Sequence, residues 1–145
     1  MSSKYAILLD GGFVTKKLQS KLGRFPTGAD VGQDCQRISQ HAHLANRDLL
    51  RIYFYEASPA KDRLTNFAVR RGEVVAHGWK LGNNAFKSMI KNPRPPSARD
   101  LVPDLEQKGV DLRIGLDIAR LALRERVDII VVVSGDSDLV PAFRF

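Results

Sequence analysis

The sequence predicts a three-layer α/β/α domain with a mainly parallel central sheet. Three observations carry that prediction. Two short apolar runs, Ala6–Leu9 and Ile129–Val133, lack polar alternation, and the second consists only of β-branched residues. Such runs suit strands covered on both faces. Strand-like and helix-like patterns alternate along the chain, which implies parallel pairing through crossover helices. Both apolar runs stop at acids, Asp10 in one case and Asp136 with Asp138 in the other. Ligands bind at the carboxyl ends of strands in open α/β sheets.

In chain order, Tyr5–Leu9 reads as the first strand, ending at Asp10-Gly11-Gly12, where two glycines allow a tight exit or a close backbone approach. Phe13–Leu22 reads as a short helix with Phe13, Leu18 and Leu22 inward, Lys16, Lys17 and Lys21 outward, and Gly23 as its stop. A second helix is expected from Ala29 or Asp30 to about Ala45, on the spacing of Val31, Cys35, Ile38 and Ala42. Leu49–Tyr55 is the second strand. Its alternation of Arg51, Tyr53 and Tyr55 with Leu50, Ile52 and Phe54 predicts a place near the sheet edge.

Residues 56–104 are the least legible. Lys61–Arg71 is expected to be helical, Glu73–Leu81 a strand or an irregular insertion, and Ala85–Ile90 a helical turn or two. Pro93, Pro95 and Pro96 make the Asn92–Ser97 stretch a loop. Leu105–Val110 is a short strand, Arg113–Arg126 a helix with Leu116, Ile118, Leu121 and Leu123 apolar, and Asp128–Val133 the central strand. A doubly wound sheet would continue beyond Asp138, so the chain is expected to be a truncated single domain spanning 1–145.

A chain of 145 residues with 43% hydrophobic and 27% charged residues is of ordinary globular composition. A single cysteine, Cys35, excludes an internal disulfide and a cysteine-cluster metal site and fits a reducing compartment. The N-terminal apolar run is too short for a signal peptide and no segment is long enough to span a membrane, so a cytoplasmic location is expected. Lys and Arg total 23 against 16 Asp and Glu, a formal charge of +7. That balance favours a polyanionic partner, while the acids gather at strand ends. Basic surroundings with an acidic centre suit metal-dependent chemistry on a phosphodiester.

If the first and last strands are neighbours, Asp10, Asp136 and Asp138 converge. Carboxylates that close raise one another's pKa values, and a divalent cation removes the repulsion. Oxygen ligands without histidine or cysteine point to Mg²⁺ or Mn²⁺. Two further acids have open readings. Asp111 is either an additional ligand or the N-cap of the following helix. Asp117 shares a helical stripe with Arg113, Arg120 and Arg124, and is either a ligand facing the strand ends or part of a solvated ion-pair face. Ser134 and Ser137 either support the carboxylates by hydrogen bonds or form the turn. Asp10-Gly11-Gly12 has no second acid two residues on, which speaks against an aspartyl-phosphate hydrolase, and no Walker-type glycine loop is present.

Three blocks together are similar to the NYN domain family, PIN-like ribonucleases of the LabA-like group: Asp10-Gly-Gly, Lys108-Gly-Val-Asp-Leu leading to Leu116-Asp117, and Ser134-Gly-Asp-Ser-Asp-Leu-Val-Pro141. The similarity extends from residue 5 to the end of the chain. It implies a PIN-like fold and a carboxylate cluster binding Mg²⁺ or Mn²⁺. Asp10, Asp117, Asp136 and Asp138 match the acidic motif positions, and Asp111 matches a further acidic position. The expected activity is metal-dependent cleavage of RNA, with DNA as the alternative polymer. Many members carry asparagine three residues after the first aspartate, where this chain has Phe13. The alternative reading is therefore an RNA-binding or regulatory module with little or no turnover. Arg113, Arg120, Lys80 and Lys87 are candidate nucleic-acid contacts, with Trp79 or Phe86 available for stacking. Oligomeric state is not legible.

Overall fold

The computed structural model describes residues 2–56, 68–124 and 127–144. Four strands form a parallel sheet in the order β3-β2-β1-β6: β1 (Lys4–Asp10), β2 (Asp48–Glu56), β3 (Ala68–Arg71) and β6 (Ile129–Val133). Helices α1 (Gly11–Leu22) and α2 (Gly28–Ser39) cover one face, and α4 (Val110–Leu123) covers the other. This is the predicted three-layer α/β/α architecture. Among the described residues, strands β4 (Glu73–Leu81) and β5 (Leu101–Lys108) pair only with each other, antiparallel, and enclose α3 (Asn83–Lys91) in sequence. Among the described residues, no helix is long and apolar enough to cross a membrane.

β1 is the axis of the molecule. Side chains of a strand alternate between faces, so Tyr5, Ile7 and Leu9 meet Val14, Leu18, Val31 and Cys35 of α1 and α2. Ala6 and Leu8 meet Ile114, Ile118 and Leu121 of α4. Burial lifts the Cys35 thiol to about 11, which marks it as a small core residue rather than a reactive one. α1 ends as expected at Gly23, in the left-handed region at φ 68°.

Several expectations change. β2 lies between β1 and β3, one strand in from the end of the described sheet, and its Tyr53 and Tyr55 are buried rather than facing solvent. A tyrosine reads as half-polar in sequence, yet its ring can fill a core when its hydroxyl finds a partner. Among the described residues β6 pairs only with β1, and its five residues are each partly exposed. Its unbroken apolar run reports helices on both faces, with Ile130 and Val132 toward one core and Ile129, Val131 and Val133 toward the other; it carries no information about in-plane neighbours. α2 ends at Ser39, and a separate 3-10 turn, Ala42–Leu44, follows, with His41 Nδ1 accepting the N–H of His43.

In the insertion, the expected helix over Lys61–Arg71 falls mostly outside the described residues, and Ala68–Arg71 is strand. β5 is longer than predicted and belongs to the separate ribbon. Pro103 is tolerated there because each ribbon strand has one unpaired side. The Pro-rich loop is clipped: Arg94 donates two hydrogen bonds of 2.7 Å to the buried Asp100 carboxylate, which also accepts from the N–H and hydroxyl of Ser97.

Candidate functional site

The parallel register sets Leu9 beside Val133, so β1 and β6 deliver Asp10 and Ser134 to the same edge. There the chain turns in both cases. Asp10 is the N-cap of α1, its Oδ1 accepting the N–H of Phe13 at 3.3 Å. The cap satisfies one of the donors that a helix start leaves open. Gly11 is required by crowding, since a Cβ would lie 2.6 Å from the Tyr55 carbonyl oxygen and from the Phe54 ring. After β6, the Ser134 hydroxyl donates to Asp10 Oδ2 at 3.0 Å and accepts the N–H of Asp136 at 3.1 Å. Asp136 Oδ1 then accepts the N–H of Asp138 at 2.8 Å and caps the final 3-10 turn, Ser137–Phe143. Ser134 is thus the clasp between the two strand ends.

α4 supplies the fourth carboxylate. Gly109, at φ 80°, is its N-cap, and Asp111 lies in its first turn, so the N-cap reading of Asp111 does not hold. Asp111 sits beside Asp136, close enough for a hydrogen bond when one carboxyl is protonated, with Asp10 and Asp138 also within electrostatic reach. Partial removal from water, then the charges of Asp136, Asp10 and Asp138, raises its pKa above its ordinary value.

Phe13 occupies the other side of the loop. A Cβ on Gly135 would lie 2.6 Å from the Phe13 ring, so the ring bears directly on the backbone of the Ser134–Asp136 turn. Lys17 lies over its other region, 5.6 Å from the ring centroid.

Among the described residues, no ion pair reaches Asp10, Asp111, Asp136 or Asp138, whereas Asp30, Asp100, Asp104 and Asp117 each have a cation. An acidic corner without a cation, in a chain of charge +7, suits a hard divalent ion chemically. No three of these side chains, among the described residues, form a ready-made cage. Mg²⁺ commonly takes only one or two carboxylates and retains several waters, and the donor set fits that mode.

Asp117 has a different set of partners. Tyr55 donates its hydroxyl to Asp117 Oδ2 at 2.7 Å, Arg70 Nε lies 3.4 Å from that oxygen, and Arg120 lies 3.2 Å from Oδ1. Arg120 also donates to the Tyr53 hydroxyl, and both guanidinium groups lie within 6 Å of the Tyr53 ring centroid. Burial first, then the Asp117 carboxylate, pushes the Tyr55 hydroxyl far above its ordinary pKa. The network ties α4 to β2 and β3. Arg120 was anticipated from its helical stripe. Tyr55 and Arg70 were not, because strand pairing alone brings them to that point.

The remaining candidates are dispersed. Ser137 is exposed and starts the final turn, Arg113 is exposed on α4, Lys80 is paired with Asp104 at 2.6 Å, and Lys87 is exposed on α3.

Against known families, a model described as NYN domain matches residues 24–144. The match contains Asp111, Asp117, Asp136 and Asp138 and begins after the Asp10-Gly-Gly block, so Asp10 joins them through the Ser134 hydrogen bond rather than through the match. Comparison with curated proteins and with solved structures finds no match.

Proposed function

Because this chain belongs to the NYN domain family, a family of nuclease type, we propose that it hydrolyses phosphodiester bonds in RNA with Mg²⁺ or Mn²⁺ at its aspartate corner. The observation that supports this most is that Asp10, Asp136 and Asp138 past the ends of β1 and β6, and Asp111 in the first turn of α4, make no ion pair among the described residues. A bound divalent ion supplies water activation and charge neutralisation at the scissile phosphate. Asp10 and Asp136 are the primary ligands in this reading, and Asp138 and Asp111 complete the acidic edge. Ser134 holds Asp10 in orientation by its hydroxyl, and its capping of the Asp136 N–H keeps the two strand ends in register. Asp117, which the family motif would make a ligand, acts here as the anchor of α4 while Arg70 and Arg120 hold it.

The test is Asp136→Asn. The substitution retains the oxygen that caps Asp138 and removes the charge. Mn²⁺-dependent cleavage of RNA is expected to be lost while the circular dichroism spectrum is unchanged. Undiminished cleavage by the variant overturns the assignment.

A second reading, an RNA-binding module with little turnover, draws on Phe13. Its ring bears on the Gly135 turn where many members carry a polar asparagine. Salt-sensitive RNA binding without metal-dependent cleavage by the wild-type chain would favour it.

A further inference from the structure

The ribbon of β4 and β5 and the helix α3 that lies between them in sequence both expose aromatic or cationic side chains. No residue of α3 is buried. Trp79 on β4 is 70% exposed and Phe86 on α3 is 54% exposed, although large aromatic side chains usually lead core packing. Charge is sorted along the same arm. On the ribbon, Asp104 holds Lys80 and Glu106 holds His77. Between Gly82 and Arg99 there are four cations, Lys87, Lys91, Arg94 and Arg99, and no acid. Arg94 is committed to Asp100; among the described residues, Lys87, Lys91 and Arg99 make no ion pair.

We infer that this arm is a grip for single-stranded RNA, separate from the aspartate corner, with Trp79 and Phe86 stacking on bases and Lys87, Lys91 and Arg99 meeting phosphates. The inference rests on the reading of the chain as an RNA-processing protein and adds a second contact surface to it. Aromatic faces beside unpaired cations form a sequence-tolerant platform for unpaired bases. The bases of a duplex are already stacked and offer these rings nothing. A second copy of the chain fits the surface poorly. A two-fold interface apposes identical patches, and α3 against α3 would bring Lys87 and Lys91 of both copies together with no acid on either helix. An anionic bilayer could engage the exposed Phe86 and Ile90, one turn apart on α3, but that helix face leaves out Trp79 of β4, which base stacking uses.

The arm is joined to the aspartate corner through covalent continuity. β5 runs from the α3 side at Leu101 to Lys108, and Gly109 then leads into α4 and Asp111. Eight residues of strand extend roughly 26 Å, so a polymer held at α3 and cut at the aspartates spans about that distance.

Binding of fluorescein-labelled oligouridylate is measured with the full chain carrying Asp136→Asn, in chelator, so that cleavage does not enter. Trp79→Ala and Phe86→Ala are each expected to weaken binding of a 20-mer between about fivefold and a hundredfold. Binding of a duplex of equal length should be unaffected. Lys87→Gln with Lys91→Gln should flatten the dependence of log affinity on log salt by about 1.4. These lysines are exposed, so that pair of substitutions tests the proposal even where an aromatic variant folds poorly. Unchanged affinity and salt dependence in all variants overturn the proposal. So does a loss confined to binding of phosphatidylserine vesicles, or a loss of dimer in sedimentation with RNA binding intact. Cleavage by the wild-type chain is assayed separately. Arm-dependent binding without cleavage sinks the proposed activity alone, and cleavage with arm-independent binding sinks this inference alone.

Discussion

Asp117 and Asp136 have the same side chain and opposite electrostatic surroundings. Asp117 is 13% exposed, accepts from Tyr55 and lies between two guanidinium groups, whereas Asp136 has carboxylates for neighbours. Removing one member of a buried ion pair leaves the others uncompensated. Asp117→Asn should therefore destabilise the fold by about 1–3 kcal/mol, reduced from the fully buried case because Arg70 and Arg120 are partly exposed. Asp136→Asn should change stability by no more than about 0.5 kcal/mol, or raise it, because it relieves repulsion with Asp111. Urea titration of both variants distinguishes them, and equal destabilisation would contradict the roles given to the two residues. Little of this contrast was legible in the sequence. The helical stripe joined Asp117 to Arg120, but Arg70 arrives from β3, 47 residues away by number, through the pairing of Tyr55 with Arg70.

At the scale of elements, the Asp100 clip is what holds the loop between α3 and β5. The Arg94 guanidinium, then the Ser97 N–H, keeps the Asp100 carboxyl well below the usual carboxylate range. With the folded-state pKa below the unfolded one, this stabilisation is fully present above the ordinary carboxylate pKa. It is lost as the pH falls through the depressed value. Amides of residues 92–101 should accordingly exchange faster with solvent hydrogen only on strong acidification, and Asp100→Ala should produce the same acceleration at neutral pH. Protection that is unchanged in Asp100→Ala would show the loop to be held by its prolines instead. Three prolines announced a loop; that the loop is tied down depends on a carboxylate six residues beyond Arg94, a spacing that matches no standard helical or strand pattern.

For the whole molecule, the decisive feature is where unpaired charge of each sign is left. Among the described residues, Asp10, Asp111, Asp136 and Asp138 make no ion pair, and neither do Lys87 and Lys91 of α3. An ion that binds the folded corner and not the unfolded chain stabilises the fold by mass action, about 2.7 kcal/mol at a hundred times its dissociation constant. Mn²⁺ should thus raise the melting temperature of the wild-type chain by several degrees and leave that of Asp136→Asn unmoved. An equal rise in both proteins would mean that the ion binds elsewhere.

The sequence alone determined the layer architecture, the C-terminal end of α1 at Gly23, and that Asp10 and the Ser134–Asp138 segment each follow an apolar strand. These follow from local patterns: β-branched apolar runs, a glycine past a helix, acids directly after buried strands. Asp10 shows the reach and the limit of such reasoning: its place at a strand end was legible outside the family match, and its convergence with the last strand followed only once β1 and β6 proved to be neighbours. Only the tertiary structure decided that β6 is an edge strand among those described, that β2 is interior, that β4 and β5 leave the main sheet, and that Asp117 meets Tyr55, Arg70 and Arg120. Each of these depends on which strands are neighbours and which side chains compete for one carboxylate. Such choices are made by packing across the chain, and periodicity within a segment does not record them.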